Sequence, residues 1–414
     1  MTGSSGGAGP YPIRTATADT IDAFTAPLNL AFAEMPDPGD EERRLWEPER
    51  IIAAFDGEQP VASAGALTFR LSVPGGEAAA AGVTLVGVNP AYRRRGILRS
   101  MMRHQLDDVR ARGEPLAVLW ASEGAIYQRF GYGLATLSGS FEVDRDRAAF
   151  ARPAPPEGTV RLVSHDEALG IFPALYDRVR AGTPGMVGRS EAWWRWGMLH
   201  DTDHARSANG MKFLAAYERG GDVEGTAIYR VKPEWDERGP KGTLNAIEVL
   251  ADTPRATRDL WRWLLDVDLV SRVRAVRTPV PHPLQLLLTE PRRLGFTVGD
   301  GIWLRVVDVP AALAARTYGR PGTLVLEVGD AFCPWNAGRW RLAAGEDGHA
   351  VAEPTGALPD VTLDAGDLAA AYLGTFRFSD LGRVGRAVEG TPGALLRADA
   401  MFAAARAPWC STMF

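Results

Sequence analysis

The stretch that most constrains the fold of this chain runs from Val86 to Arg99 and reads VGVNPAYRRRGILR. Val86, Gly87 and Val88 are typical of the end of a strand, and apolar residues recur at helical spacing from Ile97 onward. A basic turn with Gly96 joins the two. The first amides of a helix lack partners and carry partial positive charge, so such a turn favours a bound phosphate. We predict a pyrophosphate-binding loop here, the alternative being a solvated basic loop before an ordinary helix.

Other phosphate loops fit this stretch less well. It contains neither Gly-x-Gly-x-x-Gly nor Gly-Lys-Ser/Thr, so a Rossmann or P-loop interpretation is disfavoured. The formal charge of the 414 residues is −5, which argues against nucleic acid as a partner because phosphate backbones need a basic face. The predicted anion is therefore part of a small molecule.

The composition predicts a cytoplasmic globular protein. Apolar residues make up 46% of the chain, but no stretch reaches the roughly 18 apolar residues of a membrane span. Only two cysteines are present, Cys333 and Cys410, which suits a reducing compartment, and we expect both to be buried apolar side chains. Residues 1–10 are rich in Gly and Ser, lack the pattern of a signal peptide, and are expected to be a flexible tail.

Proline-rich sequence divides the chain into blocks. The clearest linker is 151–158, with three prolines, and a softer boundary lies near Val309-Pro310. The predicted domains are 11–150, 159–308 and 309–414. The first alternates strands and helices as an α/β unit, and its last strand is expected near 138–143. The third has short strands, a helix over 365–372 and a last helix over 398–405, which predicts an α+β domain.

The second block reads as a degenerate copy of the first. Ile247–Leu250 matches the strand before the basic turn, a helix over 258–265 follows, and RLGF at 293–296 matches RFGY at 129–132. Where the first copy has Gly96 and Tyr127, the second has no glycine and has Pro291. We therefore expect the second copy to be structural and to bind no coenzyme.

Several side chains outside the basic turn are candidates for the site. Tyr127 lies on a short predicted helix, 124–130, where spacing alone favours a core aromatic residue. Phe24, Leu28 and Trp46 are candidates for the apolar wall of a substrate pocket. Metal binding is not expected: His200 and His204 have helical spacing but lack a third ligand in the sequence, and tryptophans nearby suggest packing.

The basic turn also carries a family resemblance. Arg93-x-x-Gly96 resembles the acetyl-CoA motif of the GCN5-related N-acetyltransferases, (Gln/Arg)-x-x-Gly-x-(Gly/Ala), with Leu98 in place of the last small residue. RRRGIL at 93–98, together with ASEGAIYQRFGYG at 121–133, is similar to the Eis (enhanced intracellular survival) family. The resemblance implies two tandem acetyltransferase-like domains followed by a sterol-carrier-protein-like domain. It also implies a homohexamer that acetylates amines, aminoglycosides included.

The resemblance assigns roles residue by residue. It places acetyl-CoA along Val86, Gly87 and Val88, on the turn, and near Ser122 and Glu123; the turn residues are Arg94, Arg95, Gly96, Ile97, Leu98 and Arg99. It makes Tyr127 the proton donor and the terminal carboxylate of Phe414 the proton acceptor.

Elementary chemistry is compatible with these roles. A phenol with a pKa of about 10 can protonate a departing thiolate, and an amide such as that of Val88 can stabilise charge on the carbonyl oxygen. An α-carboxyl with a pKa near 3.5 is a poor base unless it is desolvated. We therefore expect Phe414 to pack its ring and thereby aim a partly buried carboxylate.

Three readings of the function stay open from the sequence. The first is a direct, single-displacement acetyltransferase of small cationic amines such as aminoglycosides. Ala26 and Met413 supply no charge, so acids that hold such a cation would have to come from elsewhere. The second is an acetyltransferase of protein lysines or polyamines. The third is a non-catalytic protein that binds acyl-CoA or a lipid.

Overall fold

A computed structural model describes residues 11–33 and 40–414 and comprises three units. The tail predicted over 1–10 lies outside the described residues. The elements that begin in the first unit are β1 Ile13–Thr15, α1 Ile21–Phe32, α2 Asp40–Arg43, β2 Ile51–Asp56, β3 Gln59–Val73, β4 Gly76–Val88, α3 Ile97–Ala111, β5 Leu116–Trp120, α4 Gly124–Tyr127, β6 Gly133–Leu134 and β7 Leu137–Asp144.

The middle of the chain repeats the mixture of strands and helices. Its elements are β8 Thr159–Leu162, α5 His165–Ala181, α6 Asp203–Asn209, β9 Met211–Arg219, β10 Asp222–Lys232, β11 Trp235–Asp236, β12 Gly239–Pro240, β13 Gly242–Ala251, α7 Pro254–Leu265, β14 Val270–Thr278, α8 Leu284–Leu287, β15 Thr297–Asp300 and β16 Ile302–Val306. A π-helix, Trp193–Leu199, lies between α5 and α6.

The third unit is a five-stranded sheet covered by helices. Its elements are α9 Val309–Ala314, β17 Gly322–Gly329, β18 Gly338–Ala344, β19 Ala350–Pro354, β20 Val361–Asp364, α10 Ala365–Tyr372, α11 Phe378–Arg383, β21 Ala387–Glu389 and α12 Ala394–Phe402. The sheet order is β19-β18-β17-β20-β21. No helix of the described ranges is both long enough and apolar enough to cross a membrane.

The two large sheets exchange strands across the sequence blocks. The first sheet has the order β1-β2-β3-β4-β5-β16-β6, and the second has the order β15-β7-β14-β13-β10-β9-β8. The strand expected near 138–143 therefore exists as β7 but belongs to the second sheet, next to β14. In return β16, from the end of the second block, pairs with β5 and β6 of the first sheet.

Hydrogen bonds join the first two units along β3. Arg70 O accepts from Gly188 N at 2.7 Å, and Ser72 bonds both Gly185 and Met186, each at 2.8 Å. The first and third units share one apolar core, in which Leu67, Leu116 and Leu304 cluster with Leu326, Leu368 and Phe378. Backbone hydrogen bonds thus join the first and second units, and a common apolar core joins the first and third units.

Candidate active site

A bulge in β4 opens the first sheet. Leu85 and Val86 together oppose Ala64 of β3, and Leu85 has a φ of +55°, an uncommon conformation for a branched side chain. The parallel ladder between β4 and β5 covers only Ala80–Gly82 and Leu116–Val118, although β4 continues to Val88. Beyond Gly82 the two strands separate, so the predicted Val86, Gly87 and Val88 lie beside an opening in the sheet.

Helix α1 packs directly on the separated end of β4. A Cβ on Gly87 would lie 2.9 Å from Leu28 Cδ2 and 3.1 Å from Ala31 Cβ, so only glycine permits this approach. Leu28 is 4% exposed and Phe24 is 8% exposed, its ring 5.2 Å from that of Phe55. Of the three predicted pocket residues, these two lie on the buried face of α1. Trp46 is half-buried and packs against the cluster that contains Phe24.

The predicted phosphate loop has the geometry of an anion-binding turn. Arg94 and Gly96 have φ of +64° and +82°, and their alternation with ordinary residues is the pattern that turns successive amides toward one point. Gly96 is the N-cap of α3, and no atom lies within 4 Å of the position its Cβ would occupy. The first turn of α3 has no acidic residue. The backbone of Gly96, Ile97 and Leu98 therefore suits a pyrophosphate.

The arginines of this loop are not equivalent. Arg95 folds back: Nη1 donates to the hydroxyl of Tyr11 at 3.0 Å, and Nη2 donates to the Ala91 carbonyl at 3.1 Å. Arg99 lies with its guanidinium 5.3 Å from the ring of Phe332 in the third unit, and the Arg94 side chain is exposed. Arg95 thus braces the loop, while Arg94 is placed on its surface.

The end of β5 leads to Tyr127. Ser122 and Glu123 are exposed, and Glu123 occupies the N-cap position of α4 without a side-chain capping bond. Tyr127 is 6% exposed, with its ring edge-on to that of Tyr132 at 5.8 Å. Burial raises the pKa of Tyr127 to about 12, which keeps the phenol protonated and able to donate at neutral pH.

The chain end reaches the first sheet at the point where β4 and β5 part. The Phe414 ring lies 5.0 Å from that of Phe69 on β3, and its Cδ2 lies 3.3 Å from the position of a Cβ on Gly82. Trp120, the last residue of β5, donates from Nε1 to the Thr412 carbonyl at 2.9 Å. The ring packing expected of Phe414 is therefore present.

Three aromatic residues near Phe414 were missed by the sequence analysis. Phe69 and Trp120 lie on β3 and β5, and Trp193 of the second unit lies 5.9 Å from Phe69. Each is an ordinary strand or helix residue in the sequence, and only the docking of the units brings them to the chain end. No local signal could have identified them.

In the second unit, protein groups occupy the corresponding helix N-terminus. The Thr253 side chain caps α7 through Ala256 N, and the Glu224 carboxylate accepts from Thr253 Oγ1 and from Arg255 at 2.9 and 2.5–2.7 Å. Pro291 begins a 3-10 turn, Pro291–Leu294. The Glu224 carboxylate is therefore paired with two side chains at the start of α7.

His200 and His204 do not share a helix face. His200 follows the π-helix and lies 3.5 Å from Glu41, whereas His204 is exposed on α6. Over residues 11–33 and 40–414, no cluster of three or more potential metal ligands occurs. Cys333 and Cys410 are both buried thiols, as expected.

Comparison with known proteins assigns a family to each of three segments of the chain. Acetyltransferase (GNAT) domain models match residues 12–135 and 185–306, and a sterol carrier protein domain model matches 309–411. The sequence is 44% identical to an N-acetyltransferase of Streptomyces coelicolor, over 94% of this chain and 96% of that protein. It is 35% identical to the N-acetyltransferase Eis of Mycobacterium tuberculosis, with the same coverage of 94% and 96%.

A solved structure extends the likeness to three dimensions. Eis1 from Mycobacterium abscessus superposes with a TM-score of 0.82 at 32% identity, over 98% of this chain and all of that one. The separated strands and the glycine turn before α3 define a GCN5-related N-acetyltransferase, a class that uses acetyl-CoA as co-substrate. Within that class the chain belongs to the Eis family.

Proposed function

We propose that this enzyme transfers acetyl from acetyl-CoA directly to a primary amine of a small cationic molecule, with aminoglycosides as the first class to test. The observation that carries the proposal is the position of Phe414 over Gly82, where β4 and β5 part. A ring packed there supports the proposal that the terminal carboxylate of Phe414 faces the opening beside the bulge at Leu85.

Different residues would hold different parts of acetyl-CoA. The backbone of Gly96, Ile97 and Leu98 would hold the pyrophosphate, with Arg94 adding charge, and the end of β4 would hold the rest of acetyl-CoA, which supplies a thioester-activated acetyl group. Ser122 and Glu123 would border it at the end of β5. The Val88 amide can donate to the oxygen on which negative charge develops.

Two groups would move protons. The Phe414 carboxylate would accept the proton that the attacking amine must lose, and the Phe414 ring packed against Phe69 would hold the chain end in place. Tyr127 donates a proton to the departing thiolate, and its raised pKa favours the protonated phenol that this role needs.

The assignment of the pocket wall is part of the same proposal. Trp46 is half-buried and lies on the α1 side of the opening, where it can contact an acceptor. Phe24 and Leu28 are buried and would act by shaping α1 rather than by broad contact with the acceptor. The family resemblance supports a homohexamer, which light scattering of the purified protein tests, and the low cysteine content supports a cytoplasmic location.

The experiment is release of coenzyme A thiol from acetyl-CoA with aminoglycosides, polyamines and lysine peptides as acceptors. The wild type runs beside a chain lacking Phe414, whose terminal carboxylate is one residue earlier on Met413, and beside Phe414→Ala, which keeps the carboxylate at position 414 but loses the ring. Release that depends on an amine and is lost without Phe414 supports the proposal. Equal rates for wild type and the shortened chain contradict the carboxylate role. Absence of release with every amine favours an acyl-CoA-binding or lipid-binding protein.

A further inference from the structure

The last residues cross from the second unit to the first. Trp409 donates from Nε1 to the Arg277 carbonyl at 2.8 Å and from its backbone N to the Pro184 carbonyl at 2.8 Å. Its ring belongs to the core of the second unit, whereas Phe414 packs on the first sheet. Of the four residues between them, Cys410, Ser411 and Thr412 are buried and Met413 is exposed.

A buried ion pair of the second unit holds this crossing. The Arg189 side chain is 0% exposed and the Glu248 side chain 3%, and their two hydrogen bonds measure 3.0 and 2.6 Å. Arg189 also donates from Nε to Thr412 Oγ1 at 3.0 Å and from Nη2 to Ser411 Oγ at 3.2 Å. The hydroxyls of Ser411 and Thr412 thus accept from N–H groups of the Arg189 guanidinium that are not bonded to Glu248.

Tyr176 completes the arrangement. Its hydroxyl donates to the Val187 carbonyl at 2.7 Å and lies 3.2 Å from Thr412 Oγ1, and its ring lies 4.0 Å from the Arg189 guanidinium carbon. Val187 belongs to the segment that pairs with β3 beside Phe69. The group that holds Thr412 is therefore fixed to the strand on which Phe414 packs.

The chemistry of the pair suits positioning better than stability. A buried ion pair is often no more stabilising than apolar residues of similar volume, because both charges lose their hydration. The rigid, planar guanidinium of Arg189, however, fixes the direction of every hydrogen bond that it donates. Two of these hydrogen bonds are accepted by the hydroxyls of Thr412 and Ser411, which lie two and three residues before Phe414.

We propose that Arg189, held by Glu248 and Tyr176, is a positioning residue that fixes Thr412 and thereby sets the place of the Phe414 carboxylate. This inference rests on the proposed function of that carboxylate. It gives the second unit a part in the reaction of the first.

The test is Thr412→Val, which keeps the shape and removes the hydroxyl, with Thr412→Ser as the conservative variant. We expect kcat to fall about tenfold in Thr412→Val, equivalent to about 1.4 kcal/mol, with the KM for acetyl-CoA unchanged. Thr412→Ser should restore wild-type kcat. The matched control is Thr257→Val on α7, which loses one hydroxyl-to-carbonyl bond of the second unit and should keep wild-type kcat.

Repeating Thr412→Val in the chain that lacks Phe414 separates positioning from damage. If the hydroxyl acts through the carboxylate, it has no further effect there. An equal loss in both backgrounds, or wild-type kcat in Thr412→Val while deletion of Phe414 lowers it, would overturn the positioning role alone. No effect of deleting Phe414 would overturn the role of the carboxylate itself, and the inference with it.

Discussion

Tyr127 and Tyr132 are neighbouring buried phenols that differ in what their hydroxyls can do. Replacing Tyr127 with Phe should lower kcat about a hundredfold or more, because general acid catalysis contributes at least that much. Tyr132→Phe is the matched control, since its hydroxyl is buried and has no hydrogen-bond partner among the described residues. Steady-state rates of coenzyme A release check both variants.

The pKa of Tyr127 predicts the pH profile of the same reaction. Burial raises this pKa to about 12, so the protonated, donating form persists well above neutrality. The kcat of the wild type should therefore show no alkaline decline from Tyr127 below pH 10. A decline centred near pH 8 that is missing in Tyr127→Phe would contradict this assignment.

Arg277 places a positive charge beside the chain end. Its Nη1 lies 3.8 Å from Met413 Sδ, its Nε has no hydrogen-bond partner in the described part of the chain, and burial lowers the pKa of its guanidinium. Arg277→Met should lower the KM for a polycationic aminoglycoside about threefold to tenfold at low salt, and less at high salt, as expected for a Coulomb effect. Arg274→Met, an exposed change on the same strand, should leave this KM unchanged.

At the level of residues, the sequence predicted what is local. Gly96 and Tyr127 stand in short contiguous patterns, and the structure places Gly96 at the start of α3 and Tyr127 at the end of α4. The position of Phe414 came from family resemblance, because no local pattern connects residue 414 with Phe69. Arg189 and Glu248 are far apart in the chain, and no periodicity predicts that they meet.

Helix α3 begins and ends at glycines that make a controlled comparison possible. Gly96 and Gly113 have φ of +82° and +75°, and neither has an atom within 4 Å of its Cβ position. Alanine at either position should cost about 1 kcal/mol of stability through backbone strain. Only Gly96→Ala should raise the KM for acetyl-CoA, because Gly96 alone belongs to the phosphate turn.

Measurements of KM and of the midpoint of urea unfolding check this pair. Equal losses of stability with a change in KM confined to Gly96→Ala would support the phosphate turn. The same KM for acetyl-CoA in both variants would place the pyrophosphate elsewhere.

The core of the second unit contains an aromatic pocket around His282. Its ring is within 4.9 Å of those of Phe141 and Trp261, and burial lowers its pKa from 6.5 to about 3. The unfolded chain then binds the proton first, so the free energy of unfolding should fall as pH drops from 6.5 toward 3, by up to about 1.4 kcal/mol per unit. His282→Asn should flatten this dependence in denaturant titrations at pH 7, 6 and 5, and an unchanged slope would contradict it.

The sequence predicted the type of an element better than it predicted which strands pair with one another. The helix expected over 365–372 is α10. The final strands were assigned to the wrong sheets, because alternation along a strand says which face is buried and nothing about which strand lies beside it. The parallel partner of β13, for example, is β14.

The first and third units should unfold together because they share a core. Leu368 on α10 is fully buried in that core, and Arg305 on β16 pairs with Asp330 of the third unit at 2.5 Å, with both side chains buried. Leu368→Ala should cost about 2–5 kcal/mol and lower hydrogen-exchange protection in β5, although the mutation lies in another unit. Leu264→Ala, an equally buried change in the second unit, is the control.

Protection of β5 that is unaffected by Leu368→Ala would contradict the shared core. Equal effects of both variants would show instead that all three units unfold as one. Mass spectrometry of peptides covering Leu116–Trp120 distinguishes these outcomes.

The exchange of β7 and β16 makes the two acetyltransferase-like units an intramolecular domain swap. A protease cut in the linker 151–158 would leave each fragment holding a strand that completes the other's sheet, so the nicked protein should stay together. Either copy expressed alone would expose an unsatisfied edge and tend to aggregate. Two units that have exchanged strands in this way cannot lose one half and leave the other sheet complete, so both halves have to be kept together.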